Sequence, residues 1–167
     1  MVARDVIHEV IDRVPHGLFL MTAAHDDTRT GVLSTRVQIC AADPFLIVVS
    51  IPKGTSIEPL LRDSRSFGLC RIDEQDRLMQ RRFDPQPTRN EDPFVAMPTS
   101  TAVTGAPIVH RAKFYFDCSI VGHIAPEADC RLYLGHVQAI GVIDEESPVL
   151  PVHVIESLVH DENPVTL

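Results

Sequence analysis

Along the first fifteen residues, apolar side chains recur at helical spacing: Val2, Val6, Ile7, Val10, Ile11 and Val14, with charges between them. That period predicts a short amphipathic helix over residues 2–14, ended by Pro15 and Gly17. Over residues 18–24 the pattern becomes that of a strand, and His25-Asp26-Asp27 supplies a polar hairpin turn. A second strand is expected over residues 30–39. Residues 45–51 form an apolar run of strand length interrupted only by Ser50, read as buried on both faces.

Pro52-Lys53-Gly54-Thr55-Ser56 breaks that run. Ser56 is then the expected N-cap of a helix that turns Ile57, Leu60 and Leu61 inward. Residues 67–72 read as a strand, and 74–83 as a helix with Leu78, Met79 and Phe83 inward. Residues 84–107 are rich in proline and weakly patterned, which predicts a long loop of the kind that serves as a lid or an interface arm. Strong strand patterns cover 113–124 and 131–143, with 125–129 as their hairpin connection. A last strand is expected over 149–155, with a loose tail beyond His160. Many strands joined by short turns, with few helices, predict a mainly β fold: one domain over 1–167, an antiparallel barrel with peripheral helices.

Composition narrows the picture. Aromatics are scarce, with no Trp and two Tyr, so the core must rest on Val, Ile and Leu, which suit strands. The net charge is −8 and no run of Lys or Arg occurs, which argues against nucleic acid or an anionic membrane as partner. Arg77, Arg81 and Arg82 read as one solvated helix face. Arg4, Asp5, Glu9 and Asp12 interrupt the N-terminal apolar residues, unlike a signal peptide, and no apolar run approaches a membrane span. Cys40, Cys70, Cys118 and Cys130 lie far apart and are read as reduced thiols, which sets the expectation of a cytoplasmic protein. His110, His123 and His136 fall on separate elements, so no metal set is expected. Cys118 reads as a small buried hydrophobe, with Asp117 on the opposite face of its strand.

The compact motifs of serine hydrolases, zinc proteases, P-loops and Rossmann folds are absent. Two segments still concentrate polar chemistry. Ser34-Thr35-Arg36 sets hydroxyls beside a guanidinium on a strand, and Lys53-Gly54-Thr55-Ser56 sets a cation and hydroxyls where a strand meets a helix. Such a turn suits a phosphate. Taken alone, the segments are better read as ordinary structure, a strand edge and a capped turn.

An ordered series of short motifs adds to this. Val14-Pro15-His16-Gly17 precedes an apolar strand; Asp43-Pro44 leads into the 45–51 run; Gln75, Met79 and Phe83 follow the 67–72 strand. Then come Asp92-Pro93-Phe94, Gly105-Ala106-Pro107-Ile108, Phe116-Asp117-Cys118, and the stretch from Asp129-Cys130-Arg131 through Gly135-His136-Val137. In order and spacing, from about Val14 to about Val154, the chain resembles the flavin reductase-like family.

That resemblance implies an FMN-binding split β-barrel that holds its flavin at a homodimer interface. It implies that Leu33, Ser34, Thr35, Arg36 and Val37 lie along the flavin ring and ribityl chain, that Lys53, Gly54, Thr55 and Ser56 hold the phosphate, and that Phe83 contacts the cofactor. FMN is the expected flavin, with FAD as alternative, and NADH or NADPH the expected co-substrate. The implied activity is NAD(P)H-dependent flavin reduction, in a chain working alone or as the reductase component beside a monooxygenase. Cys130 stands where the family carries a histidine tied to nicotinamide binding or hydride transfer, and Ala128 stands where it carries a glycine. These departures keep an alternative open: a flavin-binding electron carrier, or a split-barrel protein that has lost nicotinamide-dependent activity.

Overall fold

The computed structural model describes residues 7, 10–11, 13–143 and 150–155. Its elements run β1 (Phe19–His25), β2 (Thr28–Ser34), β3 (Val37–Ala42), β4 (Phe45–Pro52), α1 (Glu58–Ser64), β5 (Ser66–Arg71), α2 (Arg77–Phe83), β6 (Thr99–Thr101), β7 (Pro107–Val109), β8 (Phe114–Ile124), β9 (Cys130–Val142) and β10 (His153–Val154). Ile7, Val10, Ile11 and Arg13 are helical, as the first pattern predicts; the rest of that expected helix, and the tail beyond His160, lie outside the described residues.

The main sheet is antiparallel in the order β2-β1-β5-β8-β9-β4-β3, with β10 added to β9. β2 and β3 are its two ends, yet only Thr35 and Arg36 separate them in sequence. A sheet whose ends are two residues apart has to curl until those ends meet, so the ladder bends into a barrel that stays split at this corner. The expected single strand over 30–39 is therefore two strands. The Ser34 hydroxyl makes the break: it donates to the Ser50 carbonyl (2.8 Å) on β4 and accepts from the Arg36 N–H (3.0 Å). The chain thus leaves β1 and re-pairs with β4.

Alternation along the strands splits the apolar residues between two cores. Met21, Val32, Ile47, Val49, Phe67, Leu69, Cys118 and Tyr133 converge from six strands and fill the inside of the curl, joined by Ile57, Leu60 and Leu61 of the α1 segment. Leu20, Cys70 and Tyr115 point the other way from β1, β5 and β8 and meet Met79 and Phe83 of α2, with Phe94, Ile108 and Val109. β1, β5 and β8 are thus covered on both faces, and full burial of a side chain such as Phe67 contributes about 2–3 kcal/mol. β4 differs from expectation here: Ile47, Val49 and Ile51 are buried, whereas Leu46, Val48 and Ser50 on the other face are only half-buried.

Further details depart from the sequence reading. Leu78 points outward and is 47% exposed, because α2 begins at Arg77, with Asp76 as its cap, and only Met79 and Phe83 reach the core. The 84–107 stretch carries the β6–β7 hairpin, and it is tied down. Arg29 donates to both Asp92 oxygens (3.0 and 3.1 Å) and to Thr99 (3.1 Å), with its guanidinium 5.3 Å from the Phe94 ring centre. Asp117, fully buried, accepts from the Val103 and Thr104 N–H groups at 2.7 and 2.8 Å. Asp117 and Cys118 are both buried, on opposite faces of β8 as expected, because that strand is covered on both sides. The expected last strand shortens to the two residues of β10, and its start at Val149 lies outside the described residues.

Candidate functional site

The β2–β3 corner opens onto a cleft of about 500 Å³. Leu18, Val32, Leu33 and Phe83 give it an apolar wall, and Ser34, Thr35, Gln80 and Gln86 give it polar atoms. Phe83 is 1% exposed and packs against the tilted ring of Phe94 (centroids 5.4 Å, 50° between planes), so that wall is fixed before any ligand arrives. Glu74 and Asp84 mark an acidic rim, with Arg71 paired to Glu74 at 2.7 Å and holding that carboxyl below its usual range. Of the residues implied by resemblance, this cleft gathers Leu33, Ser34, Thr35 and Phe83. The Ser34 hydroxyl is already spent on the corner, which leaves Thr35, exposed beside it, as the free hydroxyl of the pair.

Arg36 and Val37 face a second cleft of similar size, with Ile11, Val14, Val48 and Leu132; Thr35 and His16 border both clefts. A strand sends successive side chains to opposite faces, and the corner at residue 35 puts that alternation at the boundary between the two.

The turn after β4 distributes its four residues in different directions. Pro52 borders the first cleft. Lys53 is exposed, and its Nζ donates to the Pro126 carbonyl (2.5 Å), which draws it toward the β8–β9 connection. Gly54 adopts φ 80°, a conformation a glycine takes without strain, and lets the chain reverse into α1. Thr55 is 5% exposed, and its hydroxyl has no partner among the described residues. Ser56 does not cap α1: its hydroxyl donates to the Pro87 carbonyl (3.0 Å), and Ile57 occupies the cap position without a side-chain bond. A carbonyl brought in from 31 residues away thus outcompetes the local cap.

Gly54 and Thr55 line a third cleft, and Ser56 a fourth with Thr30 and Thr88. Among the described residues, four buried side-chain polar atoms lack a partner: Thr30 Oγ1, Thr55 Oγ1, Glu58 Oε1 and Arg131 Nε. All four belong to residues lining the two clefts that flank this turn. Buried polar atoms are normally paired, so a concentration of unpaired ones marks where a polar ligand is accommodated. Cys130 starts β9 directly opposite Pro52, half-buried and unbridged. Among the described residues, no three His, Cys, Asp or Glu side chains gather as metal ligands.

Thr30, Gln80, Gln86, Arg89 and Arg131 were not legible as site residues in the sequence. They come from β2, α2, the connection after α2 and β9, segments far apart in sequence that only the tertiary fold brings together. An apolar wall beside a turn with the unpartnered Thr55 hydroxyl, and Thr30 nearby on β2, suits an amphipathic ring with an anionic tail.

The comparisons with known proteins agree with this architecture. The chain superposes on the NADH:FAD oxidoreductase of Streptomyces globisporus C-1027 with a TM-score of 0.74 at 18% identity, covering 89% of this chain and 86% of that one. It superposes on the flavin reductase component of a bacterial two-component tryptophan halogenase at 0.65 and 17%, covering 84% and 88%. The FMN-binding protein of Thermus thermophilus gives 0.68 and 18%, covering 80% and 75%. In sequence, the chain is 24% identical over 119 residues to diflavin flavoprotein A 1 of a Synechocystis strain, a match that covers 71% of this chain. The chain spans about a fifth of the length of the curated relatives it matches. The profile of the flavin reductase like domain matches residues 11–158, almost the whole chain, and with the split barrel and its corner cleft in place the chain belongs to the flavin reductase-like family.

Proposed function

We propose that this chain binds a flavin in the corner cleft and reduces it with NADH or NADPH. The observation that carries the reading is the pairing of a preformed apolar wall, Leu33 and Phe83, with the unpartnered hydroxyls of Thr30 and Thr55 across the Pro52–Ser56 turn. The residues fit the group: Leu18, Leu33 and Phe83 flank a flat ring, Thr35, Gln80 and Gln86 meet its polar edge, and the turn supplies hydroxyls for its phosphate. Bound flavin would supply the hydride-accepting chemistry. The chain's own work is to hold the ring against Phe83, satisfy the phosphate, and keep bulk water off the apolar side.

The family places its flavin between two subunits, so we assign a homodimer, with the half-buried face of Val37, Val48 and Leu132 beside the corner as the contact. Lys53 enters this reading as a phosphate partner only if it leaves Pro126. The named relatives that serve as reductase components support a chain that passes reduced flavin to a separate enzyme, a monooxygenase being the expected one. The diflavin flavoproteins support a second arrangement, in which such a domain is one part of a longer chain. Among the described residues no helix is long and apolar enough to cross a membrane, and we assign the protein to the cytoplasm on its unpaired cysteines.

One observation favours a second reading. Cys130 replaces the family histidine at the start of β9, which suits a flavin-binding electron carrier without nicotinamide-dependent turnover. A single cuvette separates the two. FMN is titrated by its fluorescence, and NADH is then added anaerobically. Saturable quenching followed by bleaching of the flavin absorption band supports the reductase. Quenching without bleaching leaves the carrier, and no quenching with FMN or FAD removes flavin binding altogether.

A further inference from the structure

Among the described residues that line the corner cleft, three side chains can ionise below pH 8 or so: His16, Glu74 and Asp84. Glu74 is a fixed anion, because its hydrogen bond from Arg71 at 2.7 Å holds its carboxyl below the usual range. An ionised carboxylate accepts hydrogen bonds and has no proton to give. Histidine is the side chain whose charge changes near neutral pH, and the cleft holds one.

The chain around His16 is anchored on both sides. Its Nδ1 lies 2.8 Å from the Val14 carbonyl, across Pro15, whose ring fixes the backbone between the two. A carbonyl only accepts, so Nδ1 keeps its hydrogen in both charge states, and the proton that comes and goes sits on Nε2. On the other side, Arg71 donates to the Leu18 carbonyl at 3.1 Å. The backbone at Gly17 passes so close over that guanidinium that a Cβ there would stand 2.8 Å from its Nε. His16 also borders the second cleft beside Val37, Val48 and Leu132, and in the single chain it is exposed to water. The charges around it are Glu74 and Asp84 in the corner cleft, Arg71 beneath Gly17 and Arg36 in the second cleft.

A hydride brings two electrons and one proton. A neutral two-electron product needs one proton more, and without it a negative charge remains. We propose that His16 is the proton donor of the corner cleft, with Nε2 of its imidazolium toward the bound flavin. The C–H bond of the nicotinamide breaks with its electron pair going to the flavin. The Nε2–H bond of His16 breaks with its pair staying on the imidazole, and the proton joins the flavin. Neutral His16 then takes a proton from water on its exposed side. The inference rests on the flavin reading and adds the residue that completes its proton balance.

The test reads His16 itself and does not depend on turnover. The histidine ring signals of the full chain are followed against pH by NMR in the free protein, with FMN, and with FMN reduced by dithionite. His16→Gln assigns the resonance; the site is exposed, so the fold is expected to survive, and circular dichroism checks it. The His16 signal should move when FMN is added. Its titration midpoint should rise by about one pH unit on reduction, since negative charge nearby favours the imidazolium. His25, at the far end of β1, should show neither change. In NADH turnover His16→Gln should lower kcat by about a hundredfold, well beyond any change in FMN affinity. It should also remove the fall in rate that the wild type shows as pH rises and the donor loses its proton. A midpoint unmoved by reduction of bound FMN, or a variant with unaltered kcat and pH profile, overturns the proposal and leaves the flavin reading intact. If FMN binds but NADH does not reduce it, the midpoint alone decides, and a rise makes His16 the proton site of a carrier. If neither FMN nor FAD binds the wild type, the flavin reading fails and the proposal falls with it.

Discussion

Single side chains decide more here than their size suggests. The Ser34 hydroxyl is bound on both sides, to a carbonyl of β4 and to an N–H of its own corner. Ser34→Ala removes both bonds where the residue is 8% exposed and should cost about 1–3 kcal/mol in urea unfolding. A loss below about 0.5 kcal/mol would mean the corner holds without it. Cys70 shows burial acting on chemistry instead of geometry. Burial pushes its thiol from 9.0 up to about 12, with Asp117 adding in the same direction. A folded value above the unfolded one means the neutral thiol stabilises the native state fully below pH 9, and that this stability drains away as pH rises from 9 toward 12. Tyr115, raised from 10.0 to about 12 mainly by burial, acts in the same direction. The melting temperature should therefore fall above pH 9, less steeply in Cys70→Ala; parallel curves for the two proteins would refute this. A thiol reagent at neutral pH should reach exposed Cys40 at once and Cys70 and Cys118 only on unfolding.

At the scale of elements, the organising device is the attachment of the 84–107 segment. Arg29 of β2 holds it through Asp92, Thr99 and the Phe94 ring, and Phe94 in turn braces Phe83 at the flavin cleft. Burial works against the Asp92 charge, but Arg29 holds its carboxyl below the usual range all the same. Both partners of the pair are about a third exposed, so Arg29→Ala should lower stability by no more than about 1 kcal/mol. Its larger effect should be local: trypsin should cut at exposed Arg89 faster than in the wild type, and an unchanged rate would show that the segment is held by its core contacts alone. The strand and helix patterns were legible in the sequence wherever one face is buried. β1, β4, β5, β8 and β9 follow from their apolar runs, and α2 from its 3.6-residue period, except that Leu78 points outward. Two of the misreadings share a cause. The break in the 30–39 strand and the uncapped start of α1 both depend on a hydroxyl bonding to a carbonyl distant in sequence, Ser50 for one and Pro87 for the other.

For the whole molecule, the half-buried face of Val37, Val48 and Leu132 is the open question of assembly. If it is the homodimer contact, Val48→Asp should convert a dimer to a monomer by light scattering and weaken FMN at the same time. A variant that stays dimeric with full flavin affinity would place the interface elsewhere. The sequence by itself determined the mainly β character, the two sides of most strands and, through the order of its motifs, the family, because periodicity and short motifs are local properties that one chain carries without folding. Only the tertiary structure decided where the implied site residues point. It separates Arg36 and Val37 from Leu33 to Thr35 by a corner, sends Lys53 to Pro126, and collects Arg62, Arg65, Arg89 and Arg131 into one cleft. Those outcomes depend on which strand ends meet when the sheet curls, and that is set by packing among residues tens of positions apart, which no local pattern records.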